Sequence, residues 1–317
     1  MFDWLFTPDW NSPILNVKWF GLTYFILILL MAVAIVGLYF LFRHKTQKTK
    51  MILFWGLFGV AFLSKLWNLI FWYTPLSAVY QEVANPAGVQ LFPNYLLLDP
   101  SSEHFNIARW INGAFPWSLC GLNLYFIPIY LISKKPFWKQ FGFTTMMIGA
   151  VLGIVLSVSF HWPNPWIFFD YYLNHFAFLA IPLLIVLLGE FKPRYRLMGK
   201  SFFTLIGLLL VAFLISMVLN WTLNPEYRSL RDNDWYFSSL WTIKGDTVPF
   251  NLLWNILPVP FVYLFLLLPV VGILWFLVIL PFDKVSNLKY LWSDFKTWGY
   301  NLFHREKRSY LPEDITK

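Results

Sequence analysis

The chain is a succession of apolar runs of about 20 residues, separated by shorter stretches that hold most of its charge. A run of that length crosses the hydrocarbon core of a bilayer as a helix, at about 1.5 Å per residue. Lipid offers no partner for a backbone N–H or C=O, so each run must satisfy its own backbone, and a helix does so. The fold class that follows is all-α: a polytopic membrane protein of about seven transmembrane helices. The runs cover residues 18–42, 51–73, 116–133, 141–160, 170–189, 201–220 and 251–282. Only 13% of the chain is charged, about half the share of a soluble domain.

The sequence divides into three parts: a lead at 1–17, the transmembrane domain at 18–282, and a tail at 283–317. The lead lacks a basic start and carries Asp3 and Asp9, so it reads as an interfacial amphipathic segment rather than a cleaved signal. In the tail, Leu288, Leu291, Trp292, Phe295, Trp298 and Leu302 recur at helical spacing. They predict an amphipathic helix on the membrane surface. The net charge of +8 does not point to nucleic acid. Of the 24 Lys and Arg, 18 fall in the tail and in the connections after the first, third and fifth runs. The positive-inside rule makes that side cytoplasmic, with the N-terminus outside and the C-terminus inside. The expected location is the cell membrane, multi-pass. No internal repeat is visible, which weakens a transporter built on inverted halves.

Polar residues inside the runs are the candidates for function, because they are costly there. The only cysteine, Cys120, follows Pro116 at the start of the third run. Proline suits a first helical position, which sets Cys120 roughly 6 Å below the outer end. Asp170 is a plausible N-cap for the fifth run, which sets His175 roughly 7 Å in. The matching depth predicts a Cys–His pair in which the imidazole removes the thiol proton. A buried thiol without such a partner has a raised pKa and is inert. Asn123, Asn174 and Asn255 gather at the same level, for orientation or for an oxyanion. Lys65 and Arg109 are candidates for a lipid phosphate. Each has a plainer alternative. Cys120 can be a small packing residue, His175 an interfacial group, Lys65 a snorkelling cation, and the asparagines glue between helices. The five histidines show no metal-ligand spacing, and no motif for a cofactor is present.

At these residues the chain resembles the YwaF-type bacterial integral membrane proteins, which are related to the transmembrane protein 164 acyltransferases. The resemblance runs over residues 116–281. It rests on PWSLC at 116–120, on YYLNHF with His175, on Asn220, on DWYFSSL at 234–240, and on LPVPFVY at 257–263. It implies that Cys120 carries an acyl group as a thioester and that His175 activates it. The long connection at 74–115 departs from the family, which leaves the choice of acceptor open. A fainter similarity links KWFGLTY at 18–24 to prolipoprotein diacylglyceryl transferases, whose Gly-Arg-x-Gly-Asn-Phe signature is missing here.

The expected function is therefore acyl transfer. A membrane phospholipid is the donor, and a lysolipid or a lipoprotein amine is the acceptor. No cofactor, metal or nucleic acid takes part, and the sequence sets no oligomeric state. The alternative is a non-enzymatic lipid or small-molecule transporter, or a membrane scaffold.

Overall fold

The structure, a computed structural model, describes residues 21–73, 119–156, 165–222, 255–256, 266 and 268–288. These residues contain seven long α-helices and no strand. They are α1 (Leu22–Phe42), α2 (Gln47–Tyr73), α3 (Leu119–Ile132), α4 (Pro136–Leu156), α5 (Pro165–Leu187), α6 (Met198–Thr222) and α7 (Leu268–Ile279). Three helices are long and apolar enough to cross a membrane, at Leu22–Phe42, Gln47–Trp67 and Phe168–Leu187. The protein is a membrane protein. The lead at 1–17, Arg109, and the tail beyond Leu288 lie outside the described residues.

α4 is the centre. It packs against α3, α5, α6 and α7, while α2 leans on α5 and α3, and α1 on α5. Every residue from 140 to 146 of α4 is buried. Three of them are polar, and the two threonines satisfy their hydroxyls within the helix. Thr144 Oγ1 donates to Gln140 O at 2.8 Å and Thr145 Oγ1 to Phe141 O at 2.8 Å. These i−4 bonds satisfy the hydroxyls within the helix itself. Gln140 Oε1 accepts the Arg194 N–H at 2.9 Å. Two glycines of α4 admit rings from its neighbours. A Cβ on Gly142 would meet the Tyr130 ring at 2.8 Å, and a Cβ on Gly153 would overlap the His175 imidazole.

α1 shows the opposite pattern. It is apolar all round, and only Met31 and Ile35 are buried. Leu22, Leu29, Leu30, Val33 and Leu41 are exposed. Such a helix is stable only where its outer face meets lipid.

The connections at 43–46, 133–135, 188–197 and 280–284 gather at one end, which is also the basic end. Lys50 Nζ donates to Leu188 O at 2.9 Å and pairs with Glu190 Oε1 at 3.1 Å. Tyr195 N–H donates to Asp283 Oδ2 at 2.8 Å, and the Phe143 and Phe282 rings meet edge-on at 5.7 Å. Gly189, at φ +80°, ends α5. Its N–H bonds Val186 O at 3.1 Å, and the Glu190 N–H bonds Ile185 O at 2.9 Å. That pairing is a Schellman cap, whose left-handed residue is normally glycine.

Several expected boundaries move. α4 starts at Pro136 rather than at 141, because proline suits a first turn that has no N–H to satisfy. α2 starts at Gln47 rather than at 51, because Thr46 caps it: the Thr49 N–H reaches Thr46 Oγ1 at 3.4 Å. α5 starts at Pro165 rather than at 170, so Asp170 lies within the helix rather than at its N-cap. Pro269 stands near the start of the described part of the last run. It is the second residue of α7, where proline fits without breaking a bond. Pro258 and Pro260 lie outside the described residues.

Candidate functional site

The polar groups of α5 form two i, i+4 pairs, about 100° apart around the helix. Asp170 and Asn174 face α2. Asp170 Oδ1 accepts the Ser64 hydroxyl at 2.6 Å and the Asn174 amide at 2.8 Å. Asn174 Nδ2 also donates to Asp170 O at 2.7 Å. All three residues are buried. A carboxylate in such surroundings persists only with donors around it, and α2 supplies one of them.

Tyr171 and His175 face α4. His175 Nδ1 lies 2.7 Å from Tyr171 O. A carbonyl has no hydrogen to give, so Nδ1 carries the proton, and the neutral ring keeps its lone pair on Nε2. The Tyr171 ring lies over the imidazole, with centroids 4.0 Å apart at 30°. The Tyr171 hydroxyl donates to Gly153 O at 2.6 Å. His175 is 4% exposed, and its Nε2 has no hydrogen-bond partner among the described residues. Asp170 and Lys65 are both within electrostatic reach of the ring.

Cys120 is the second residue of α3, and its side chain lies outside the described residues. The helix ends fix its level. Cys120 stands twelve residues before Ile132, the end of α3, and His175 stands twelve before Leu187, the end of α5. At about 1.5 Å per residue, each lies about 18 Å from the basic end of its own helix. Counted from the far end, His175 is ten residues into α5, which is about 15 Å rather than the expected 7 Å. It therefore sits near the middle of its helix.

Asn123, one turn below Cys120, is fully buried and donates from Nδ2 to Thr145 O at 3.0 Å. Its Oδ1, like Asn174 Oδ1, has no partner among the described residues. Lys65 is half-buried on α2, one residue beyond Ser64. Asn255 is exposed. A cavity of about 240 Å³ opens between α2 and α5, lined by Leu53, Gly56, Leu57, Val60, Leu173 and Phe176 with Ala177. That lining is apolar. Among the described residues no three His, Cys, Asp or Glu side chains converge as a metal site.

A model of the TMEM164 family matches residues 17–280. The chain belongs to the TMEM164 family. The match takes in all seven helices whole, and α7 ends one residue before its limit. No characterised protein and no solved structure matches the chain. In this TMEM164-family chain, reading the sequence did not reach Ser64 or Gly153. The signal for Gly153 was there, since Gly149-Ala150-Val151-Leu152-Gly153 is a small-xxx-small pattern that brings helices close. Ser64 had no comparable sign, because a single serine in an apolar helix does not announce its partner.

Proposed function

We propose that this protein is a membrane-embedded acyltransferase working through a Cys120 thioester, with His175 as its base. The observation that carries the reading is the state of His175. Its Nδ1–H is held by Tyr171 O, its Nε2 is unpartnered among the described residues, and it stands twelve residues from the basic end of α5, as Cys120 does from that of α3. A general base needs an oriented ring with a free lone pair at hydrogen-bond reach of the nucleophile.

In the proposed reaction, Nε2 takes the Cys120 proton and the thiolate attacks an ester carbonyl of a membrane phospholipid. The C–O bond to the glycerol breaks, and the imidazolium returns its proton to the departing alkoxide. This leaves an acyl-thioester on Cys120 and a lysophospholipid. The acceptor is a lysolipid hydroxyl or a lipoprotein amine. It gives its proton to Nε2 as it attacks the thioester, and the thiolate leaves and is reprotonated. Asn174 gives both amide hydrogens to Asp170, which suits an orienting role. Asn123 has one amide hydrogen beyond its bond to Thr145 O and is the better oxyanion candidate. Lys65 and Arg109 are assigned to the lipid phosphate, with Asn255 as a further orienting candidate. The protein is placed in the cell membrane, multi-pass through seven spans. The basic end is cytoplasmic by the positive-inside rule.

The test is intact-protein mass spectrometry of protein purified with native phospholipid, before and after hydroxylamine. A hydroxylamine-labile increment of one acyl chain, absent from Cys120→Ala, is the expected result. Lipid-loaded protein without any adduct overturns the reading and moves transport or scaffolding to the front.

A further inference from the structure

The contacts around His175 do more than bury it. We propose that Gly153 and Tyr171 are positioning residues that hold His175 in a single tautomer, with the proton on Nδ1 and the lone pair on Nε2. The inference rests on the reading of His175 as the base.

Four contacts act on one ring. The Tyr171 carbonyl fixes Nδ1 at 2.7 Å. The Tyr171 ring covers one face at 4.0 Å, and Phe178 meets the imidazole edge-on at 5.8 Å. The Tyr171 hydroxyl, bonded to Gly153 O at 2.6 Å, ties the covering ring to α4. The remaining side of the imidazole lies against Gly153, where a Cβ would overlap Nε2 and Cδ2. The ring therefore cannot flip to exchange its nitrogens without moving α4 or losing the Tyr171 contacts. A helical backbone that close leaves no room for any side chain at 153, so glycine is required there for approach and not for its dihedral freedom. The result is preorganisation. The base is oriented before any substrate arrives, and small misplacements of such groups are expensive, of the order of 100-fold in rate for about 1 Å.

The test uses the full-length protein labelled with 15N at histidine, with the His175 resonances assigned by difference from His175→Gln. The spectrum reports which ring nitrogen carries the proton, independently of any activity. Wild-type protein should show a single Nδ1–H species. Gly153→Ala should give a mixture of tautomers and slow the formation of the hydroxylamine-labile adduct roughly 100-fold. Tyr171→Leu, which removes atoms rather than adding them between α4 and α5, should loosen the tautomer in the same way and covers the case in which Gly153→Ala does not fold. Tyr171→Phe should keep the tautomer, because the carbonyl and the ring remain.

A wild-type spectrum with the proton on Nε2 overturns the proposal, whatever the activity. So does a folded Gly153→Ala or Tyr171→Leu protein with the wild-type spectrum and adduct rate. A wild type that shows the Nδ1–H species and the Gly153→Ala mixture, but never forms an adduct, keeps the positioning role and removes the acyltransferase reading.

Discussion

α5 is held in two places, and the two differ in kind. At its basic end every group named has its counterpart. Lys50 serves both Leu188 O and Glu190, and Gly189 turns the chain so that the Val186 and Ile185 carbonyls are capped. At mid-length the contacts are just as short, but they stop half-way. Asn174 donates twice and has no donor for its own Oδ1, and His175 is fixed at Nδ1 with no hydrogen-bond partner at Nε2, among the described residues. A closed polar set staples helices together. A half-closed set is buried where an unmet acceptor costs about 1–3 kcal/mol, and on the proposed reading it is kept for a group that it binds or deprotonates. The basic end is architecture, and the middle of α5 is where chemistry is to be sought.

The strongest way to break that contrast is to empty the mid-length set. Asp170→Ala leaves the Ser64 hydroxyl and one hydrogen of the Asn174 amide as buried donors without their acceptor. We expect a loss of about 3 kcal/mol in unfolding measurements on the detergent-solubilised protein. Asp170→Asn keeps an oxygen toward Ser64 and should lose about 1 kcal/mol. Equal losses in the two variants would show that the negative charge, rather than the acceptor geometry, holds α2 to α5.

The next effect belongs to the basic end. Gly189→Ala forces a side chain into φ +80° and should cost about 1–2 kcal/mol without changing the His175 tautomer. A tautomer change in Gly189→Ala would mean that the two anchor points are coupled along α5, and the contrast between them would fail.

The legible part of this molecule was the part written in runs. Lipid forces a helix on any apolar stretch of spanning length, so the helices could be placed before any contact was known. The boundaries shifted where a cap outweighed hydropathy, as Thr46 does for α2 and Pro165 for α5. The site was legible as residue types and not as partners. His175 and Asn174 stood out because they are polar in an apolar helix. Nothing along the chain joins Asp170 to Ser64, 106 residues away, or aims the imidazole at Gly153. Those pairings are set by how α2 and α4 pack on α5, a tertiary outcome that periodicity does not encode. Counting depth from the expected N-cap at Asp170 gave His175 the wrong distance from the far end, because the first turn of α5 contains a proline and four apolar residues that hydropathy could not separate from the preceding loop.

The smallest predicted effect tests the stapling role most directly. Lys50 and Glu190 are 12% and 18% exposed, so their pair is neither a free surface contact nor a sealed one. Lys50→Met keeps most of the aliphatic stem and removes both bonds to the 188–190 turn. For a partly exposed pair the expected loss is about 1 kcal/mol, read as earlier unfolding, with less dependence on salt than a fully exposed pair would show. The charge left on Glu190 can turn toward water, which is why the loss stays small. If adduct formation at Cys120 fell as well, α2 would be transmitting the change from Lys50 up to Ser64 and through Asp170 to the middle of α5. Unchanged chemistry with a measurable stability loss is the outcome a closed, purely architectural set requires.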